Sequence, residues 1–119
     1  MYDSVEQHIN QYLANYNVKV IFTDPVLEVD FPHYEKGRLA DIVAAIISRF
    51  EHNGNPHQIT EKWRLKGELR GYLKIRLLKQ MIRIVYKVEE QKDVTVVTII
   101  AVGPKKDEEA YSLAKKRLK

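Results

Sequence analysis

The chain has 119 residues, of which 45% are hydrophobic and 30% charged, a balance that supports a packed core and excludes the low-hydrophobicity signature of disorder. It contains no cysteine, which removes disulfides, thiolate metal sites and cysteine nucleophiles and fits a reducing, cytoplasmic setting. The start Met1-Tyr2-Asp3 carries no basic leader, and no apolar run approaches the ~20 residues that span a bilayer, so neither a standard export signal nor a membrane partner is expected. The net charge of +4 is unevenly spread: residues 1–59 hold four Lys/Arg against eight Asp/Glu, and residues 60–119 hold sixteen against eight. A segregated basic half is the footprint of a protein that meets phosphate, although a lysine-rich solvated surface has the same composition.

Asp3 or Ser4 followed by Glu6 or Gln7 forms a capping box, and Val5, Ile9, Tyr12, Leu13 and Tyr16 recur at helical spacing, predicting a helix over 4–16. Val18 to Phe22 is β-branched and aromatic and predicts a short strand. Pro25 to Phe31 stays open: Leu27, Val29 and Phe31 alternate with acids as in a strand, yet Asp24-Pro25 is also a good helix start. Leu39, Ile42, Val43, Ile46, Ile47 and Phe50 form a clear stripe for a helix over 38–52, stopped by His52-Asn53-Gly54-Asn55-Pro56.

From Gly67 onward the period changes to two. Leu73, Ile75 and Leu77 alternate with Lys74 and Arg76, and Ile82, Ile84 and Tyr86 alternate with Arg83 and Val85, predicting two antiparallel strands. Val94 to Val102 is apolar at nearly every position, as a central strand covered on both faces requires, and Gly103-Pro104 ends it. A last helix is predicted from about Asp107 to Leu118, acidic at its start and basic at its end as the macrodipole favours. The expected fold is α+β, an antiparallel sheet of about four strands with helices packed on one face and an exposed basic face. One domain is expected over residues 1–119, with 1–17 as an N-terminal helical extension.

Matching the apolar faces of the hairpin sets Leu77 against Ile82, Ile75 against Ile84 and Leu73 against Tyr86. Arg76 then stands opposite Arg83, with Lys74 beside them on a face expected to be solvent-exposed. Like charges placed opposite each other cost up to ~1 kcal/mol, which points to an anion between them. His8, His33, His52 and His57 lack zinc-ligand spacing, and neither a phosphate-binding glycine loop nor a nucleophile elbow occurs. Metal and cofactor are therefore not expected. The remaining chemistry is what lysine, arginine and tyrosine can do with a phosphodiester: position it, stabilise added negative charge and move protons. Trp63 beside Leu65 reads as a packing anchor.

The ordered set Leu73-Lys74-Ile75-Arg76-Leu77, Ile82-Arg83-Ile84-Val85-Tyr86-Lys87-Val88, Ile100-Ala101-Val102-Gly103, Tyr111 and Ala114-Lys115-Lys116-Arg117-Leu118, with the approach Leu65 to Gly71, resembles the C-terminal half of RelE-type toxins of the RelE/ParE superfamily. The resemblance covers roughly residues 62–118. It implies a ribosome-dependent endoribonuclease that cuts mRNA without a metal and is held inactive by a cognate antitoxin. It also implies roles: Lys74 and Arg76 at the scissile phosphate, Arg83 as transition-state arginine, Tyr111 as catalytic tyrosine. Lys105 stands where the family has an arginine thought to protonate the leaving group. Lysine lacks the planar fork of arginine, so reduced activity is expected. Lys66, Arg70, Lys79 and Lys106 are expected to add RNA contacts. Either Tyr111 or Lys74 is expected to act as base, the tyrosine only if nearby cations lower its pKa.

Two other readings share the fold: a ParE-like toxin that binds DNA gyrase without catalysis, and a catalytically inactive RelE-like protein that regulates by binding. Convergence of Lys74, Arg76, Arg83 and Tyr111 on one patch favours the nuclease over both.

Overall fold

Helix α1 (Asp3–Leu13) opens the chain and runs through a 3-10 turn, Ala14–Tyr16, into strand β1 (Val18–Phe22). The computed structural model describes residues 3–51 and 64–118. Of the expected stripe, Ile9 and Leu13 are fully inside and Val5 and Tyr16 partly so, whereas Tyr12 is exposed and donates its hydroxyl to Glu51. Its polar side chains do a second job at the sheet edge. The Asn10 amide donates to the Val20 carbonyl (2.9 Å) and accepts from the Val20 N–H (2.7 Å), and the Glu6 carboxylate accepts from the Phe22 N–H (3.1 Å). Backbone groups that an edge strand would leave unpaired are thus satisfied from the helix.

The stretch left open between strand and helix is helical: a π-helical segment, Val26–Asp30, followed by a 3-10 turn, Phe31–His33. The apparent alternation is not what is buried: Val26, Asp30 and Phe31 lie inside while Glu28 and Val29 face out, a helical and not a two-residue pattern. Helix α2 (Lys36–Phe50) follows with Ile42, Ile46 and Phe50 inside, two residues earlier at each end than expected. The stop signal at 52–56, His52, His57 and Trp63 lie outside the described residues.

Strands β2 (Leu73–Leu77), β3 (Ile82–Gln91) and β4 (Val94–Pro104) complete a four-stranded sheet of order β1-β4-β3-β2. The α+β fold with a four-stranded sheet is the expected one. The hairpin register also agrees: Leu73 faces Tyr86, Ile75 faces Ile84, Arg76 faces Arg83 and Leu77 faces Ile82. Strand β4 is central, antiparallel to β3 and parallel to β1. Pairing shifts between Val85 opposite Ala101 and Tyr86 opposite Ile99, which leaves Ile100 as an extra residue. Such a bulge inverts the face alternation beyond it, so Ile100 and Ala101 pack on the same side.

The sheet has two different faces. The first carries α1, α2 and the 26–33 segment over a continuous core that includes Val20, Phe22, Phe31, Ile46, Ile84, Tyr86 and Ile99. Phe31 meets Phe22 edge-on at 5.1 Å, and Tyr86 meets Phe50 edge-on at 5.4 Å, arrangements the ring quadrupole favours. The second face carries a 3-10 turn, Gly67–Leu69, and helix α3 (Glu109–Arg117), with Leu69, Val85, Ile100, Ala101, Ala110 and Ala114 between them. Gly103 lets α3 come this close: a Cβ there would lie 3.2 Å from the Ala110 Cα.

Candidate functional site

Lys74 and Arg76 on β2 and Arg83 and Val85 on β3 share the second face, since Lys74 lies opposite Val85 and Arg76 opposite Arg83. The expected grouping of the three cations is therefore present. Their expected exposure is not. Arg83 is only 6% exposed and Lys74 and Arg76 are half-buried, because α3 folds over this end of the face. Alternation along β2 and β3 carries no information about a cover supplied 28 residues further along the chain.

The cover brings in Tyr111, which sits in the first turn of α3, partly buried at the edge of the small-residue cluster. Arg83 donates a hydrogen bond to the Tyr111 hydroxyl and a longer one, 3.3 Å, to the Ile82 carbonyl. Both partners are neutral, and among the described residues no carboxylate pairs with Arg83. A nearly buried guanidinium without a counter-charge is expensive in a folded protein. An anion entering beside it would supply what the chain leaves out.

Burial pushes the Tyr111 hydroxyl above the ordinary tyrosine pKa, and the pull of Arg83 and Arg76 in the other direction does not overcome it. Tyr111 therefore keeps its proton at neutral pH, the opposite of the lowered pKa that a role as base would require. Lys74 moves the other way. Desolvation, then the charges of Arg76 and Arg83, hold its ammonium below the ordinary lysine pKa, with Glu108 opposing them. Of the two candidates for a base, Lys74 is the one whose surroundings favour giving up a proton.

Lys105 and Lys106 are exposed in the turn between β4 and α3. The Lys105 N–H donates to the Met81 carbonyl (2.8 Å), which ties this turn to the tip of the β2–β3 hairpin, where Lys79 is also exposed. Lys105 is exposed while Lys74 and Arg76 are half-buried and Arg83 nearly buried, so Lys105 belongs to the rim rather than the centre. Lys66 and Arg70 are exposed around the Gly67–Leu69 turn, next to the start of β2. Gly71, at φ 93, makes the turn back into β2 that a side chain would strain. The four expected RNA-contacting cations thus flank the Lys74–Arg76–Arg83 centre at both ends of β2.

Three features had no readable signal. Asp107 and Glu108 both adopt left-handed backbone (φ 56 and φ 52) immediately before α3, a conformation that is uncommon for residues other than glycine. Glu108 places a negative charge near Lys74 and Tyr111. Asp30, 2% exposed, pairs with Arg117 through two bonds of 2.7 and 2.8 Å. Eighty-seven residues separate the partners, so sequence spacing does not reveal the pair.

No protein-family model matches the chain, and no curated protein matches it. Solved structures do. A double mutant of the E. coli toxin RelE in the free state superimposes with a TM-score of 0.62 at 25% identity, over 84% of this chain and 96% of that one. The isolated E. coli RelE toxin gives 0.57 at 25% identity, over 84% and 97%. These matches extend well into the N-terminal half, where the sequence resemblance is weak. Among the described residues no helix is long and apolar enough to cross a membrane, and no group of three or more His, Asp or Glu is placed to hold a metal.

Proposed function

We propose that this chain, whose fold is of the RelE type, is a cytoplasmic toxin that cuts ribosome-bound mRNA without a metal and is neutralised by a cognate antitoxin. The observation that supports this reading is the meeting of Lys74, Arg76, Arg83 and Tyr111 at one place, with Arg83 nearly buried and, among the described residues, paired to neutral oxygens. In the reaction the ribose 2′-oxygen bonds to the adjacent phosphorus, and the bond from phosphorus to the 5′-oxygen of the next nucleotide breaks. Lys74, in its neutral form, takes the 2′-hydroxyl proton. Arg76 and Arg83 stabilise the extra charge on the phosphate oxygens. Tyr111 holds Arg83 and the RNA in place, and Lys105 at the rim supplies the proton to the leaving 5′-oxygen. Lys66, Arg70, Lys79 and Lys106 hold the RNA backbone on either side.

The basic second face also suits an acidic or amphipathic antitoxin segment. Co-expression with the product of a neighbouring reading frame is expected to restore growth. A second reading, a RelE-like protein that binds without cutting, is favoured by the rim position of Lys105 and by lysine standing where the family resemblance implies arginine. Induced expression in bacteria with mapping of mRNA ends separates the two. Codon-dependent cuts support the nuclease, and growth inhibition without cuts supports binding alone.

A further inference from the structure

Helix α3 carries Tyr111, yet little in α3 itself explains why it sits where it does. It is nine residues long, below the ~12–15 at which an isolated helix becomes even marginal in water. It starts after two left-handed residues and has no side-chain cap. Its fully buried side chains are Ala110 and Ala114, a methyl group each, against the leucine, isoleucine and phenylalanine that anchor α1 and α2. Smooth contacts of this kind allow close approach, as at Gly103, but give a helix few knobs to fix its position along the sheet.

The other end of α3 is held by directional bonds. Arg117 forks onto Asp30, with Nη2 to Oδ1 at 2.7 Å and Nη1 to Oδ2 at 2.8 Å, and Nη1 also donates to the Ile100 carbonyl at 2.9 Å. Asp30 Oδ2 accepts from the Val102 N–H at 2.8 Å. Ile100 is the extra residue of the β4 bulge, and β1 has already ended there, its last partner on β4 being Ile99. The free backbone at the bulged edge is therefore taken up by one carboxylate from the first face and one guanidinium from α3. Bidentate geometry fixes direction as well as distance. Tyr111 lies six residues before Arg117, or about 9 Å along the helix axis.

We infer that Asp30 and Arg117 are positioning residues: their ion pair clamps α3 to the bulged edge of β4 and so holds the Tyr111 hydroxyl against Arg83. The kinetic consequence rests on the nuclease reading, whereas the clamp itself does not.

The test uses the full chain and the double variant Asp30→Asn/Arg117→Leu. Both charges leave together, so no orphan ion stays buried, and the asparagine oxygen still accepts from Val102. Folding is checked by circular dichroism and thermal unfolding. The variant is expected to lose about a hundredfold in kcat on translating ribosomes, as displacement of a site group by ~1 Å can produce, with KM nearly unchanged. Adding Tyr111→Phe is expected to cost nothing further, because the hydroxyl is already displaced. A kcat like wild type, or losses that multiply, overturns the inference. Arg117→Lys, which keeps the charge without the fork, passes through the same cycle and decides the matter if the double variant does not fold. A readout independent of cleavage is the titration of the Tyr111 ring followed by 13C NMR. It is expected above the ordinary 10.0 in wild type and displaced from the wild-type value in the clamp variants, further up where the hydroxyl only leaves Arg83 and back toward 10.0 where it also becomes exposed. If wild type cuts no mRNA, the nuclease reading falls and this titration alone decides the clamp: a value displaced from wild type in either direction supports it, and an unchanged value overturns it.

Discussion

The first face of the sheet is covered by two helices that insert large apolar side chains, and the second by a short helix that inserts alanines and leaves three cations underneath. The contrast separates what holds the fold from what the fold holds. On the first face Tyr86 is fully buried, and its hydroxyl accepts from Arg49 at 2.9 Å, so this tyrosine of the family-like motif is a core residue. On the second, Tyr111 is half-buried and hydrogen-bonded to a guanidinium that has no carboxylate partner among the described residues.

Truncations on the two faces should therefore fail in different ways. The largest expected effect is Phe31→Ala on the first face, a loss of roughly 3–5 kcal/mol of stability from deletion of a fully buried ring. Urea or thermal unfolding measures it, and a loss below ~1 kcal/mol would show that the core is not where it is placed here. Arg83→Ala on the second face is expected to leave stability unchanged or raised, since it removes a buried cation facing Arg76. Its cleavage rate should nevertheless fall about a hundredfold, or ~3 kcal/mol in barrier.

How much of this contrast was legible depends on the range over which each signal acts. The hairpin register was readable because period-two alternation and one buried face leave a single way to pair Leu73–Leu77 with Ile82–Tyr86. Helix α2 and central β4 were readable from their own stripes. The burial of Arg83 was not, because α3 arrives from a distant part of the chain and its buried residues are alanines, which leave almost no periodic signal. The bulge at Ile100 has no sequence signal because β4 is apolar on both faces, so an inverted alternation looks the same. The parallel pairing of β1 with β4 and the Asp30–Arg117 pair are equally non-local.

A smaller effect sharpens the assignment of the base. Cleavage should rise with pH as Lys74 loses its proton, beginning below the ordinary lysine value of 10.5 because its folded pKa is lowered. Lys74→Arg, which does not deprotonate in this range, should flatten that rise. A pH profile of single-turnover cleavage measures it, and an unchanged profile removes Lys74 from the role. The smallest effect concerns the rim. Lys105→Arg should raise activity severalfold by restoring the planar fork, roughly 1 kcal/mol, measured as kcat on the same ribosomes.

The most direct single measurement is a comparison of mRNA ends mapped on translating ribosomes with wild type and with Arg83→Ala at equal ribosome occupancy. The expected result is codon-dependent cleavage by wild type that falls about a hundredfold in the variant. No cleavage by wild type, or equal cleavage by both, would contradict the assignment of the second face as a phosphodiester-cutting site.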